Sequence, residues 1–264
     1  MNFFKANQYS FPLNRTYVMG ILNVTPDSFS DGNKYLKINK AVEHALIMQE
    51  QGADIIDIGG QSTRPGHTKI SATEELSRVI PVLKELKGKI KIPISIDTFY
   101  PEVAKECLSQ GANIINDVNG FKNIDMFKIA ANSDCGCIIM HDGGNESMLN
   151  FFETQLKKAE SYGISRERIC LDVGIGFGKT HEENLEAIKN LKGYKINGLA
   201  MLVGASKKRV IGNVCQNPAF EKRIPGTIAA HTIAILNGAN IIRVHDVEEA
   251  VQAAKVADAI KKLC

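Results

Sequence analysis

Short apolar runs alternate with amphipathic stretches from residue 17 to the end of the chain. Tyr17–Leu22, Asp54–Ile58, Pro93–Ile96, Asn113–Asn116, Cys137–Met140, Ile169–Asp172, Ala200–Val203 and Asn240–Val244 have the length and apolar character of buried strands. Helical periodicity predicts helices at Lys40–Gln51, Ala72–Leu86, Pro101–Gln110, Phe151–Tyr162, Glu182–Leu191, Pro225–Asn237 and Val247–Lys262, with a shorter one near Ile124–Ala131. Gly52-Ala53, Gly111-Ala112 and Gly238-Ala239 each sit between a helix and the next strand, where helix-ending glycines belong, and form a weak internal repeat. Eight strands alternating with eight helices predict one α/β domain over residues 1–264, a closed (β/α)8 TIM barrel. A doubly wound sheet is the alternative, but nothing interrupts the alternation and no Pro-, Gly- or Ser-rich linker appears. Residues 1–16 are expected to be an N-terminal extension that covers the barrel bottom or forms a small hairpin.

Composition narrows the picture. Hydrophobic residues make up 44% and charged residues 23% of the 264, an ordinary balance for a soluble globular protein. A formal net charge of +3, with no basic block, gives no argument for a nucleic-acid partner. No apolar run approaches a membrane span, and the N-terminus lacks the pattern of a signal peptide, so a cytoplasmic location is the default expectation. The six cysteines are scattered; Cys135 and Cys137 are wrongly spaced for a zinc knuckle, and structural thiols are expected.

Barrel enzymes work at the C-terminal ends of their strands. Here every strand ends in polar or charged residues: Asn23, the run from Asp57 through Gln61, Thr63 and Arg64, then Asp97-Thr98, Asn116-Asp117, His141-Asp142, Asp172, Ser206 to Arg209, and Arg243 to Asp246. Asp97, Asn116 and Asp172, read as lying on neighbouring strands, suit a flat heterocycle with an amidine or guanidine edge, because a carboxylate accepts two parallel N–H bonds. Asn23, Arg243 and His245 meet where the first and last strands adjoin and suit phosphate or pyrophosphate with a divalent metal. Lys208 and Arg209, at the start of a helix, suit a carboxylate. The loop Gly174 to Thr180 has the wrong glycine spacing for a P-loop or a dinucleotide site; it reads as backbone passing close to a flat ring, with Phe177 beside it. His141 reads equally as a site group or a rim histidine, Asp57 as support for the site through Lys or Arg, and Asp246 as a helix cap.

The first strand runs into Asn23-Val24-Thr25-Pro26-Asp27-Ser28-Phe29-Ser30-Asp31-Gly32, whose two carboxylates and four hydroxyl or amide side chains no ordinary core strand would carry. This segment resembles the first loop of dihydropteroate synthases. Further matching parts follow in family order: Asp57–Gly66, Ser95–Thr98, Ile114–Asn119, Met140-His141, Asp172–Lys179, Gly204–Arg209 and Arg243–Val247. The resemblance implies condensation of 6-hydroxymethyl-7,8-dihydropterin diphosphate with 4-aminobenzoate, giving 7,8-dihydropteroate and pyrophosphate in folate biosynthesis, with Mg2+ as cofactor and a homodimer as assembly. It further implies that Asn23 ligates the metal and that Asp97, Asn116, Asp172 and Lys208 hold the pterin. Arg243 and His245 would bind the diphosphate, Thr63 and Arg64 would close over the reacting centre, and Arg209 would lie near the aminobenzoate carboxylate. Phe29 and Asp31 would belong to a mobile first loop. Asp97, Asp172, Lys208 and Arg64 are the expected catalytic residues. The chain departs from the family pattern at Gln61, Val173, Lys207, Asn33 and a shortened segment from Asp142 to about Asn150. A pterin-binding methyltransferase barrel and a catalytically silent paralogue are the competing readings.

Overall fold

A computed structural model describes residues 2–25, 34–61, 68–144 and 146–263. Strands β1 (Phe3–Ala6) and β2 (Tyr9–Pro12) form an antiparallel hairpin. Its tight turn places Asn7 at φ 52°, a left-handed conformation that Asn tolerates. Strands β3 (Tyr17–Asn23), β4 (Ile55–Gly59), β5 (Ile94–Asp97), β6 (Ile114–Asp117), β7 (Gly136–Met140), β8 (Ile169–Asp172), β9 (Ala200–Val203) and β10 (Ile241–Val244) then close a barrel in the order β10-β3-β4-β5-β6-β7-β8-β9, each pair parallel. All eight expected strands are present with ends shifted by at most one residue, so the closed barrel stands and the doubly wound alternative falls.

The helices are α1 (Lys34–Glu50), α2 (Ala72–Leu86), α3 (Pro101–Ser109), α4 (Ile124–Ala131), α5 (Met148–Ser161), α6 (His181–Lys189), α7 (Arg209–Val214), α8 (Ile224–Leu236) and α9 (Val247–Lys261). Two begin three or more residues earlier than periodicity predicts. Lys34 opens α1, and Ser147 caps α5 by accepting the Asn150 N–H, which adds Met148 to the helix. The short α7 makes nine helices among the described residues where eight were expected, and it buries its own Val210 and Ile211 before α8 supplies the barrel helix. Gly52, Gly111 and Gly238 take φ values of 97°, 108° and 110° at the ends of α1, α3 and α8, the conformation that stops a helix at little steric cost.

Two apolar layers lie between barrel and helices, and a third fills the barrel's lower end. Phe4, Ala6 and Phe11 of the hairpin pack there with Met19, Ile55, Ile114, Ile138, Cys170 and Ile241. Polar side chains gather at the opposite end of the strands, so the hairpin contributes stability and no chemistry. Phe4 is fully buried. Phe4→Ala should cost about 3–5 kcal/mol, seen as a fall of roughly 10 °C in Tm, with kcat/KM of the folded fraction unchanged. Loss of activity in proportion beyond the unfolded fraction would contradict this division.

Candidate functional site

A guanidinium bound to two carboxylates forms the floor of the site. Arg243 on β10 donates from Nε to Asp57 Oδ2 on β4 at 2.6 Å and from Nη2 to Asp97 Oδ2 on β5 at 2.7 Å. Asp57 Oδ2 also accepts from Asn116 Nδ2 on β6 at 3.1 Å. Asp57 therefore supports the site through an arginine. Asp57 Oδ1, Asp97 Oδ1, Asn116 Oδ1 and Ser95 Oγ are buried without a partner among the described residues. Orphaned acceptors at this density are costly and are what a planar ligand rich in N–H donors would satisfy.

The wall opposite is Asp172 on β8. It is separated from Asn116 by β7, so Asp97, Asn116 and Asp172 are not all on adjacent strands as the sequence suggested; they span an arc from β5 to β8. Asp172 Oδ1 accepts the Gly174 N–H at 2.8 Å. Burial raises its pKa, and Lys208, that N–H, Arg243 and Lys179 work against the rise. Gly174 takes φ 63°, and a Cβ there would run into the His141 carbonyl, so the loop leaves β8 by a path only glycine allows. Lys208 reaches across this loop, donating to the Ile175 carbonyl at 2.5 Å with its ammonium 4.6 Å from the Phe177 ring centroid. Asp172, Lys208 and Phe177 are thus brought together.

The rim between β9 and β10 is built on α8. Thr227 Oγ1 accepts the Lys207 N–H at 2.9 Å and His231 Nε2 accepts the Ala205 N–H at 3.0 Å, one helical turn apart. His231 is fully buried, and burial drives its pKa down to about 3, so the neutral imidazole that this bond requires is secured. Lys207 adopts φ 54° and pairs with Asp246 at 2.8 Å. Asp246 occupies the N-cap position of α9 but makes no side-chain cap; the ion pair has taken its carboxylate. His245 Nδ1 lies 2.9 Å from Ser206 Oγ, and Phe220 packs edge-on to its ring. Arg209 is exposed at the start of α7. Asn23 ends β3, and the ground above Gly59 is bordered by Asn23 Oδ1 and Asp97 Oδ2: a Cβ built on Gly59 would lie 3.7 and 3.8 Å from them. Thr63, Arg64, Phe29 and Asp31 lie outside the described residues.

The comparisons with known proteins agree on one family. The pterin binding enzyme family matches residues 19–245. The chain is 48% identical to the dihydropteroate synthase of Clostridium beijerinckii over 255 residues, 93% of this chain and 94% of that one. The chain belongs to the dihydropteroate synthase family. Its activity is that of a dihydropteroate synthase, a transferase of folate synthesis, which decides against the methyltransferase barrel. The Clostridium difficile dihydropteroate synthase, solved in the presence of pteroic acid, superposes with a TM-score of 0.90 at 44% identity, covering 97% of this chain and 98% of that one. The Xanthomonas albilineans dihydropteroate synthase, solved with 4-aminobenzoic acid, gives a TM-score of 0.93 at 38% identity, with 98% of each chain covered.

Within this family frame, three groups were given no role in the sequence reading. Glu75 lies wholly buried on α2, accepts from Thr98 Oγ1 at 3.2 Å and is pushed up to about 7, by burial first and by Asp97 second. It stands in the buried stripe of α2 with Val79, Val82, Leu83 and Leu86. Lys179 donates to three backbone carbonyls, that of His141 after β7 and those of Gly174 and Phe177 in the loop after β8. Ser206 holds His245. His141 resolves the other way. Its ring packs edge-on to Phe151 and Phe152, Nε2 lies 3.2 Å from the Glu146 carbonyl, and burial lowers its pKa, which makes it a neutral rim histidine against α5.

These shifts predict a narrow pH profile. Burial raises Asp97 to about 7, with Arg243 opposing, and burial lowers Lys208 to about 8, with Asp172 opposing. Below the first value Asp97 gains a proton and loses its charge; above the second Lys208 loses its charge. Because kcat/KM reports the free enzyme, kcat/KM for the pterin substrate should fall on both sides of a maximum between these values. Lys208→Arg should push the alkaline limb upward, since a guanidinium stays charged. A profile flat to about pH 10, where an ordinary lysine titrates, would contradict it.

Proposed function

We propose that this rim binds 6-hydroxymethyl-7,8-dihydropterin diphosphate with its ring edge on Asp172, Asn116 and Asp97 and joins it to 4-aminobenzoate. The observation that carries this assignment is the set of buried unpartnered acceptors on β4, β5 and β6 facing Asp172 on β8. Donors on the ring would satisfy Asp97 and Asn116, and Asp97's new partner loosens its hold on Arg243 Nη2, freeing that edge for the diphosphate. Lys208 and Phe177 line the ring's face. As the bond between the methylene carbon and the diphosphate oxygen breaks, positive charge spreads from the carbon into the ring. Asp172 stabilises that charge through the ring N–H, and Arg243 with His245 stabilises the departing anion. The amine nitrogen of 4-aminobenzoate then forms the C–N bond and releases its proton to solvent. The aminobenzoate carboxylate is assigned to the exposed Arg209, and closure over the reacting centre to Thr63 and Arg64.

Mg2+ fits the donors near Asn23. Hard oxygens of Asn23 and Asp97 border the ground above Gly59, but no cluster of three His, Cys, Asp or Glu stands ready for a metal among the described residues. Such a site suits an ion that keeps several waters and takes its remaining ligands from phosphate. When bound, the ion would neutralise charge on the leaving pyrophosphate. A cytoplasmic location and a homodimer belong to the same proposal. Cys107, Cys135, Cys137, Cys170 and Cys215 are all free thiols, as in a reducing compartment. Ile233 on α8 and Val256 on α9 stand half exposed, as a helix-to-helix contact would use. Light scattering of the purified chain tests the assembly.

The deciding experiment supplies the pterin diphosphate and Mg2+ with and without 4-aminobenzoate and measures pyrophosphate and dihydropteroate together. Equal formation of both, dependent on 4-aminobenzoate, supports the reading. Pyrophosphate without dihydropteroate means the second half-site is not as assigned, and neither product would favour the silent paralogue.

A further inference from the structure

Lys179 spends its whole hydrogen-bonding capacity on backbone. Its ammonium donates to the carbonyls of His141 at 2.9 Å, Gly174 at 3.2 Å and Phe177 at 3.4 Å. An ammonium has three donors, so none remains for a ligand. One of these carbonyls directly follows β7 and two lie in the loop after β8, so the side chain ties two neighbouring loops together. Each residue it grips has a second task. Gly174 turns its N–H to Asp172 Oδ1 at 2.8 Å. Phe177 carries the Lys208 ammonium against its ring. His141 uses its own N–H on the Asp172 carbonyl at 2.9 Å, which holds β8's last residue in register.

We propose that Lys179 is a positioning residue for the pterin half of the reaction, a clamp that sets the directions of Asp172 and Lys208 through the loop backbone without itself meeting the substrate. The proposal rests on the assignment of Asp172 and Lys208 to the pterin.

A merely structural role would need no charge here. Water or a neutral donor could satisfy loop carbonyls, whereas burying an ammonium is expensive. Burial does depress Lys179, to about 8, against the pull of Asp172, Asp142 and Glu183. His141 and Lys208 face it as well, and its positive charge depresses both. The charge lies close enough to Asp172 to favour its ionised form. Asn184 completes the same clamp from α6: its Oδ1 accepts the Gly176 N–H at 2.6 Å and its Nδ2 donates to the Lys179 and Thr180 carbonyls.

The test uses the full chain with Lys179→Met and Lys179→Arg. Steady-state kinetics would be run for each substrate separately, and amide hydrogen exchange would be followed by peptide. Lys179→Met should raise KM for the pterin diphosphate about tenfold and lower kcat, while KM for 4-aminobenzoate stays within about twofold. Exchange should rise in the segment 174–179 and not across the barrel. Lys179→Arg, which keeps the charge, should recover most of the pterin KM. An unchanged pterin KM in Lys179→Met overturns the proposal. So does a rise in both KM values together with exchange spread through the barrel, and so does a Lys179→Arg variant as impaired as Lys179→Met. If the unaltered protein makes no dihydropteroate, the substrate assignment fails by itself, and local exchange in Lys179→Met still decides whether the clamp exists. Should Lys179→Met not fold, Lys179→Arg and Asn184→Ala carry the same comparison.

Discussion

Asp172→Asn should lower kcat by about 10²–10³-fold, the loss seen when one preorganised electrostatic partner of a transition state is removed, while the protein stays folded. Asn keeps the size of the side chain and an oxygen for the Gly174 N–H. What it loses is the charge and an acceptor. Asp172 Oδ2 accepts no hydrogen bond among the described residues, and in the variant an amide NH2 would point at the ring's own donors. Burial raises the Asp172 pKa, so the site carries an electrostatic cost for keeping this carboxylate ready, offset by Lys208 and the Gly174 N–H. Removing the charge should therefore leave Tm unchanged or slightly higher. Activity and stability would move in opposite directions, as they do where a site is strained for function. Kinetics and thermal unfolding on the same preparation check this. Turnover within a few-fold of the unaltered enzyme would sink the charge-stabilisation argument, and a large fall in Tm would show that the carboxylate is structural.

The second large effect is expected at Arg243. Burial works against its charge, and Asp57 and Asp97 more than overcome it, holding the guanidinium proton more firmly than usual. Arg243→Met would strand two buried carboxylates. Breaking a buried pair on one side costs about 3–5 kcal/mol, which for a chain of this size is a fall in Tm of roughly 10 °C or more. The loss should depend on pH. Asp97 is already raised to about 7 with Arg243 beside it, and without that cation its pKa climbs further. Over the range between the unfolded pKa and the folded one, the folded chain holds a proton that the unfolded chain gives up, so stability falls as pH rises. That window would extend to higher pH in the variant, and its deficit against the unaltered protein should widen from pH 6 to about 8. Adding Asp57→Asn to Arg243→Met should restore part of the stability, because it removes one stranded charge. A deficit that is small and constant with pH would mean that water, and not Arg243, balances these carboxylates.

Glu75 and His231 show where local pattern stops informing. Both lie on helices whose periodicity was correctly read, and both were buried at positions that the pattern reserves for apolar side chains. Their partners lie on other elements: Thr98 after β5 for Glu75, the Ala205 N–H after β9 for His231. A carboxylate on a helix face is indistinguishable in sequence from a solvated one until that partner is known. Asp246 makes the converse case. Its cap position was legible because capping is set by neighbours along the chain, but Lys207, 39 residues earlier, took its carboxylate.

The barrel, and which polar residues stand at its rim, were determined by the sequence alone. Strand alternation and polar residues at strand ends are local signals repeated eight times along the chain, helix-ending glycines mark three of the junctions, and a parallel barrel is the closure that satisfies all of them at once. Tertiary structure alone decided how those residues pair. Arg243 lies 186 residues from Asp57 and 146 from Asp97, so its place between two carboxylates depends on barrel closure bringing β10 across to β4 and β5. The same closure brought the Lys179 ammonium within reach of a carbonyl at the end of the neighbouring strand. Spacing along a chain reports which face a residue lies on. Which charge faces it is set by distance through space, in a low dielectric that makes each such encounter large.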